Sequence, residues 1–290
     1  MTAGVGAPAG LSADTTRALA GLLLAMADDE LVIGWFDSEW TGIAPLLEED
    51  VAMSSLAQDE IGHARALYGL LGELTGEDPD ALAFDRDPAD YTYASLLDRR
   101  GPGEGDPEPL DWAYTIVRRW LYDTADAVRL DALAGSAYQP LAALAVKLRR
   151  EETYHLAHAD LWLGRLATPV AGVDEAGGEA RRRLDAAFGL LWPLAGTVLA
   201  PLEGEQALLD AGLLPCSMTA LRNRWVAAVH PRLAQLGLLP ECEASDVGGF
   251  APEAEAAPRT RLPGGPDDQG FRWLWGQMTQ VRRAEPGAVW

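Results

Sequence analysis

Two Glu-x-x-His pairs hold the residues of this chain most suited to chemistry. Glu60 and His63 stand in Gln58-Asp59-Glu60-Ile61-Gly62-His63-Ala64, and Glu152 and His155 in Glu151-Glu152-Thr153-Tyr154-His155. A spacing of three puts acid and imidazole on one helical face. Around the first pair, Met53, Leu56, Glu60, His63 and Leu67 share a helical stripe; around the second, Ala145, Leu148, Glu152, His155, Ala159 and Trp162 do. In both stripes the acid and the imidazole occupy equivalent positions of an apolar seam, so both pairs are expected to point inward. Two such pairs, with one more carboxylate from each of two other helices, form the ligand set of a two-metal helical bundle.

Two more carboxylates are therefore needed. Glu39 follows Val32, Trp35 and Phe36 at helical spacing and is the candidate ahead of the first pair. Asp28, Asp29, Glu30 and Asp37 lack that apolar backing, and Asp28, Asp29 and Glu30 read as solvated surface or a helix break. Between the pairs, Asp123 lies on a stripe with Ile116, Trp120, Ala127 and Leu130. Asp126 is a second candidate, as ligand or as acceptor for a ligand imidazole. The predicted metal ligands are thus Glu39, Glu60, His63, Asp123, Glu152 and His155. Four carboxylates in a dry core cost several kcal/mol each, on the order of a domain's whole stability. Two divalent cations, iron or manganese, would neutralise them. The metal-free alternative is protonated acids or buried arginines, with Arg119 and Arg149 each near one of the acids.

The elements that must position these groups are helical throughout, with no alternating strand pattern of useful length. Helix one is expected from about Asp14 to Thr41, broken near Asp28 in one reading. Helix two follows at about 46–74, helix three at 111–134 and helix four at 139–166. The long Gly-, Pro- and Asp-rich connection of residues 75–110 suits a crossover that makes helices two and three parallel. Further helices are expected near 179–199 and 217–236, then an irregular arm at 240–268. Phe271, Trp273 and Trp275 begin an aromatic tail expected to dock on the chain itself or on a partner. The expected whole is a single all-α, ferritin-like four-helix bundle domain over 1–290, its core at about 14–166, with additional C-terminal helices.

Composition narrows the function classes. A net charge of −21 and an isoelectric point near 4.4 argue against nonspecific binding to nucleic acid or anionic membrane. Arg118-Arg119, Arg149-Arg150 and Arg181-Arg182-Arg183 are the local basic patches a phosphate-bearing ligand would need. Cys216 and Cys242 show no metal-type spacing, so no disulfide framework is indicated. The stretch Leu19 to Ala27 lacks a basic flank and reads as helix rather than signal peptide. The longest apolar run, Gly189 to Leu202, contains Pro193 and Pro201 and is too short to span a bilayer. A soluble, reduced, cytoplasmic protein is expected.

Longer motifs carry a family resemblance. Ser38-Glu39-Trp40, Leu47-Glu48-Glu49-Asp50, Asp59 to Arg65, Ala83-Phe84-Asp85-Arg86-Asp87, Trp120-Leu121-Tyr122-Asp123, Tyr154-His155-Leu156 and the ending Pro286-Gly287-Ala288-Val289-Trp290 resemble the phenylacetyl-CoA 1,2-epoxidase oxygenase subunits, most closely the C subunit. The resemblance implies a ferritin-like fold and a multicomponent monooxygenase that uses phenylacetyl-CoA in aerobic phenylacetate degradation. Its partners would be a reductase, bringing NADPH electrons through flavin and an iron–sulfur centre, and a catalytic di-iron A subunit. A homo-oligomer is expected when the chain is alone. The resemblance gives a structural role to a C subunit that has lost metal ligands, with Leu and Gln where this chain has Glu60 and His63, and assigns catalysis to the A subunit. Keeping both residues departs from that pattern. Two readings result: an enzyme subunit with two metals, Asp59, Asp126 and Glu151 supporting the ligands; or a metal-free scaffold docking the A subunit. The extra C-terminal segments disfavour a stand-alone metal-storage protein.

Overall fold

The computed structural model describes residues 10–105, 107–168, 174–239 and 269–286. The irregular arm expected at 240–268 and the ending 287–290 lie outside them. The described residues contain helices and no strand.

α1 (Ala13–Ser38) starts where Ser12 caps it, its side chain accepting from the Thr15 amide, a satisfied terminal donor. Contrary to the expected break, α1 runs through Asp28, Asp29 and Glu30, all at 0% exposure. From Leu22 to Phe36 apolar residues occupy every side, so this stretch is a central helix without a solvent face. Its acids survive burial because each has partners. Asp28 accepts from the Tyr68 hydroxyl and the Thr92 amide and pairs with Arg86. Asp29 accepts from the Ala94 amide and pairs with Arg129.

α2 (Leu47–Thr75) packs along α1 and ends at Gly76, whose φ of 83° is the left-handed stop that glycine adopts freely. The crossover holds α3 (Pro79–Phe84) and two single 3₁₀ turns. α4 (Trp112–Leu133), capped by Asp111, packs against α5 (Gln139–Ala167). His63 reaches Glu151, His155 reaches Asp59 and His158 reaches Glu49. Residue numbers rise on α2 as they fall on α5, so these helices are antiparallel. α1, α2, α4 and α5 thus form the expected bundle, with boundaries within a residue or two of the periodicity for α2, α4 and α5.

α6 (Asp174–Ala195), α7 (Glu205–Asp210) and α8 (Met218–Leu236) complete the middle of the chain, α6 and α8 both against α4. The aromatic tail forms α9 (Gln269–Ala284) and packs on its own chain. Phe271 is fully buried between Tyr91 and Tyr93, with ring centroids at 5.1 and 4.5 Å. The Trp275 indole donates to the Arg86 carbonyl at 3.0 Å. Among the described residues no helix is long and apolar enough to cross a membrane.

Candidate metal centre

Glu60, His63, Glu152 and His155 meet in the middle of the bundle, each no more than 2% exposed. His63 Nδ1 lies 3.4 Å from one carboxylate oxygen each of Glu30, Glu60 and Glu152. His155 Nδ1 lies 3.2 Å from Glu60 Oε1 and 3.1 Å from Glu152 Oε1. The two imidazoles stack with centroids 6.0 Å apart. On their outer edges they turn to acids of the opposite helix: His63 Nε2 is 2.9 Å from Glu151, and His155 Nε2 is 3.3 Å from Asp59. Each outer acid directly precedes the Glu of its own pair, so the sequence repeat becomes a reciprocal repeat in space. These contacts direct each Nδ1 inward.

The α1 carboxylate at this point is Glu30, whereas sequence spacing points to Glu39. Glu39 follows the last residue of α1 and pairs with Arg100 instead. Nine residues separate the two along the chain, roughly 13 Å of helix rise, and the structure does not bring Glu39 to the cluster. Contrary to the sequence reading, Glu30 has the same kind of apolar backing as Glu39, with Leu23, Met26, Ala27 and Ile33 at helical spacing; the run Asp28-Asp29-Glu30 is what suggests a solvated position. In a helix apolar on all sides no single stripe stands out, and an acid inside such a stretch is itself the sign of a buried function. On α4, Asp123 is fully buried and pairs with Arg119 at 3.1 Å, while Asp126 pairs with Arg129. Arg149, the other arginine near a candidate acid in sequence, is on the surface with Asp131.

Electrostatics bind these groups together. Burial raises Glu30 well above the usual carboxylate range, and the neighbouring Glu60 charge adds to it. Glu60 goes the other way: burial opposes its charge, but Arg119 and His155 hold it ionised. Burial also raises Asp123, Asp126 and Glu152. For the imidazoles, burial disfavours charge, yet Glu30 and Glu60 push His63 up to about 12, and Glu60 and Glu152 push His155 up to about 11. Without a metal the centre therefore holds protons.

The donor set fits a cation. One donor atom each from Glu30, Glu60, His63 and Glu152 lies within 4.8 Å of all the others. Glu30 Oε2, Glu60 Oε2, His63 Nδ1, His155 Nδ1 and both Glu152 oxygens are buried without an aligned hydrogen bond. Orphaned donors and acceptors converging on one point are costly unless something positive sits there. Among the described residues, eight carboxylates at 0–2% exposure (Asp28, Asp29, Glu30, Asp37, Glu60, Asp123, Asp126 and Glu152) face four guanidiniums, those of Arg86, Arg118, Arg119 and Arg129. The excess is negative and concentrates where the imidazoles meet. Carboxylate with imidazole suits iron or manganese.

A crossover-linked four-helix bundle with acids and two imidazoles converging at its centre defines a ferritin-like protein. Within that class, the chain belongs to the phenylacetic acid catabolic protein family, whose model matches residues 3–290. It is 30% identical over 233 residues to the C subunit of 1,2-phenylacetyl-CoA epoxidase from Escherichia coli (strain K12), covering 80% of this chain and 88% of that protein. It is also 30% identical over 131 residues to the A subunit of the same epoxidase, covering 44% of this chain and 39% of the relative.

Proposed function

We propose that this chain is a cytoplasmic component of a multisubunit epoxidase acting on phenylacetyl-CoA in phenylacetate breakdown, and that its buried cluster binds divalent iron or manganese. Family membership supports the pathway and the complex. The observation that carries the metal is the convergence of unpartnered donors from Glu30, Glu60, His63 and Glu152. Iron held there would supply the redox chemistry that O2 activation requires. The chain's own contribution is to hold and shield that centre. Glu151 and Asp59 orient the imidazoles, and Tyr122 donates to Glu30 Oε1 at 3.0 Å, leaving Oε2 turned to His63. Leu56, Ile33 and Ala145, on the helices that carry the centre, are fully buried. The partners in this reading are a reductase, delivering NADPH electrons through flavin and an iron–sulfur centre, and an A-type oxygenase subunit.

A second reading, a metal-free scaffold docking the A subunit, is favoured by one observation: Arg119 already satisfies Glu60 at 2.7 Å. Metal analysis separates the two. The chain is expressed alone with ample iron, desalted and assayed for metal, beside a Glu60→Ala/His63→Ala double variant. Bound metal that disappears in the variant is the expected result; a folded, metal-free wild type leaves the scaffold.

A further inference from the structure

The two Glu-x-x-His helices repeat each other, but their two halves of the centre differ in one respect. In the His63 half, Glu30 Oε2, Glu60 Oε2 and His63 Nδ1 have no aligned hydrogen bond, nor has either oxygen of Glu152. All four side chains present an atom to one shared point. Among the described residues the ion-pair contacts of these atoms are with imidazoles: His63 and, at Glu152 Oε1, also His155 at 3.1 Å.

In the His155 half a cation is already present. Arg119, one turn before Asp123 on α4, places Nη1 2.7 Å from Glu60 Oε1, the same oxygen that lies 3.2 Å from His155 Nδ1. Its Nη2 is 3.1 Å from Asp123 Oδ1, and Nη1 also donates to Asp37 Oδ2 at 2.7 Å. Asp123 meets the guanidinium as an ion pair and not as an aligned hydrogen bond. Glu60 and Asp123 are carboxylates that would help to hold a second metal ion, and the Arg119 guanidinium pairs with both. Arg119 is 1% exposed and held by three carboxylates. A guanidinium cannot shed its proton in a protein, and burial on every side leaves this one nowhere to retreat.

We infer that Arg119 is a built-in counter-ion occupying the second metal position, so that this chain holds one divalent cation, in the Glu30–Glu60–His63–Glu152 half, where the sequence repeat suggests two. The inference rests on the metal-binding reading above and adds its stoichiometry and the residue that sets it. Asp123 is then a partner of Arg119, and Asp37 helps to anchor the guanidinium from α1.

Manganese(II) is the probe, because count and coupling can both be read. The full-length metal-free chain is loaded, desalted, assayed for manganese per chain, and examined by electron paramagnetic resonance. One manganese per chain with an uncoupled six-line spectrum is expected. Arg119→Gln is expected to raise the count to two, with the exchange-broadened spectrum of a coupled pair. Asp123→Asn, which loses an acid without vacating the guanidinium, is expected to stay at one; it keeps the test decisive if Arg119→Gln does not fold. Two manganese ions in the wild type overturn this inference and leave the metal centre standing. No manganese in a folded wild type overturns the metal-binding reading itself. A folded Arg119→Gln that still binds one ion, or an Asp123→Asn that binds none, shows that Arg119 does not set the count.

Discussion

Gly34→Ala is the sharpest perturbation of the helix contact that sets the metal centre. Gly34 stands one turn after Glu30 on α1 and faces α2 at the level of Glu60. A Cβ added there would lie 2.9 Å from the Glu60 Cβ, 3.0 Å from Ile61 Cγ1 and 3.2 Å from the Ala57 carbonyl oxygen, where 3.4–4 Å is ordinary contact. The first and last of these atoms are fixed to the α2 backbone, so the helices must separate by several tenths of an ångström. In an open helix the same substitution stabilises by about 1 kcal/mol, because glycine loses the most backbone freedom on folding. Overpacking in a tight core costs about 1–3 kcal/mol. The net expectation is a loss of about 0–2 kcal/mol in urea unfolding. Glu60 also moves, and metal geometry tolerates only about ±0.2 Å, so manganese affinity should fall at least tenfold, as measured by titration of the metal-free protein. A Gly34→Ala chain that is about 1 kcal/mol more stable and binds manganese as before would refute the claim that this contact positions Glu60.

Two more outcomes follow from the same geometry. In the metal-free protein His63 and His155 are raised to about 12 and about 11 from an ordinary 6.5; the folded state keeps protons that the unfolded state releases. Their stabilisation is complete below pH ~6.5 and is lost as pH climbs through 11 to 12, with a slope of at most about 1.4 kcal/mol per pH unit for each group. The urea midpoint of the metal-free chain should therefore fall between pH 7 and 9, while metal affinity rises about tenfold per pH unit for each proton displaced; a flat midpoint would count against protonated imidazoles. Phe271→Ala should destabilise the chain by about 3–5 kcal/mol, since the ring is buried between Tyr91 and Tyr93; unchanged denaturant unfolding would mean that α9 contributes little to the fold.

Periodicity and spacing make much of the bundle legible. Helical stripes place α2, α4 and α5 within a residue or two, because a helix facing one core writes a 3.6-residue pattern into its own sequence. The crossover follows from the length of residues 75–110, and the inward aim of Glu60, His63, Glu152 and His155 from their seam positions. Pattern fails where a helix has no solvent side. α1 is buried all round, so backing by apolar neighbours does not tell Glu39, at the helix end, from Glu30, inside the core. α9 is visible as aromatic but not as part of the fold, since its contacts with Tyr91, Tyr93 and Arg86 span some 180 residues of chain. Arg119 is visible in sequence as a neighbour of Asp123 and of no other acid in particular. Its bridge to Glu60 and Asp37 exists only after α1, α2 and α4 pack. Local sequence determines which face each side chain takes, whereas the registers between helices decide which buried charges meet, and those registers depend on side-chain packing along the whole length of each pair.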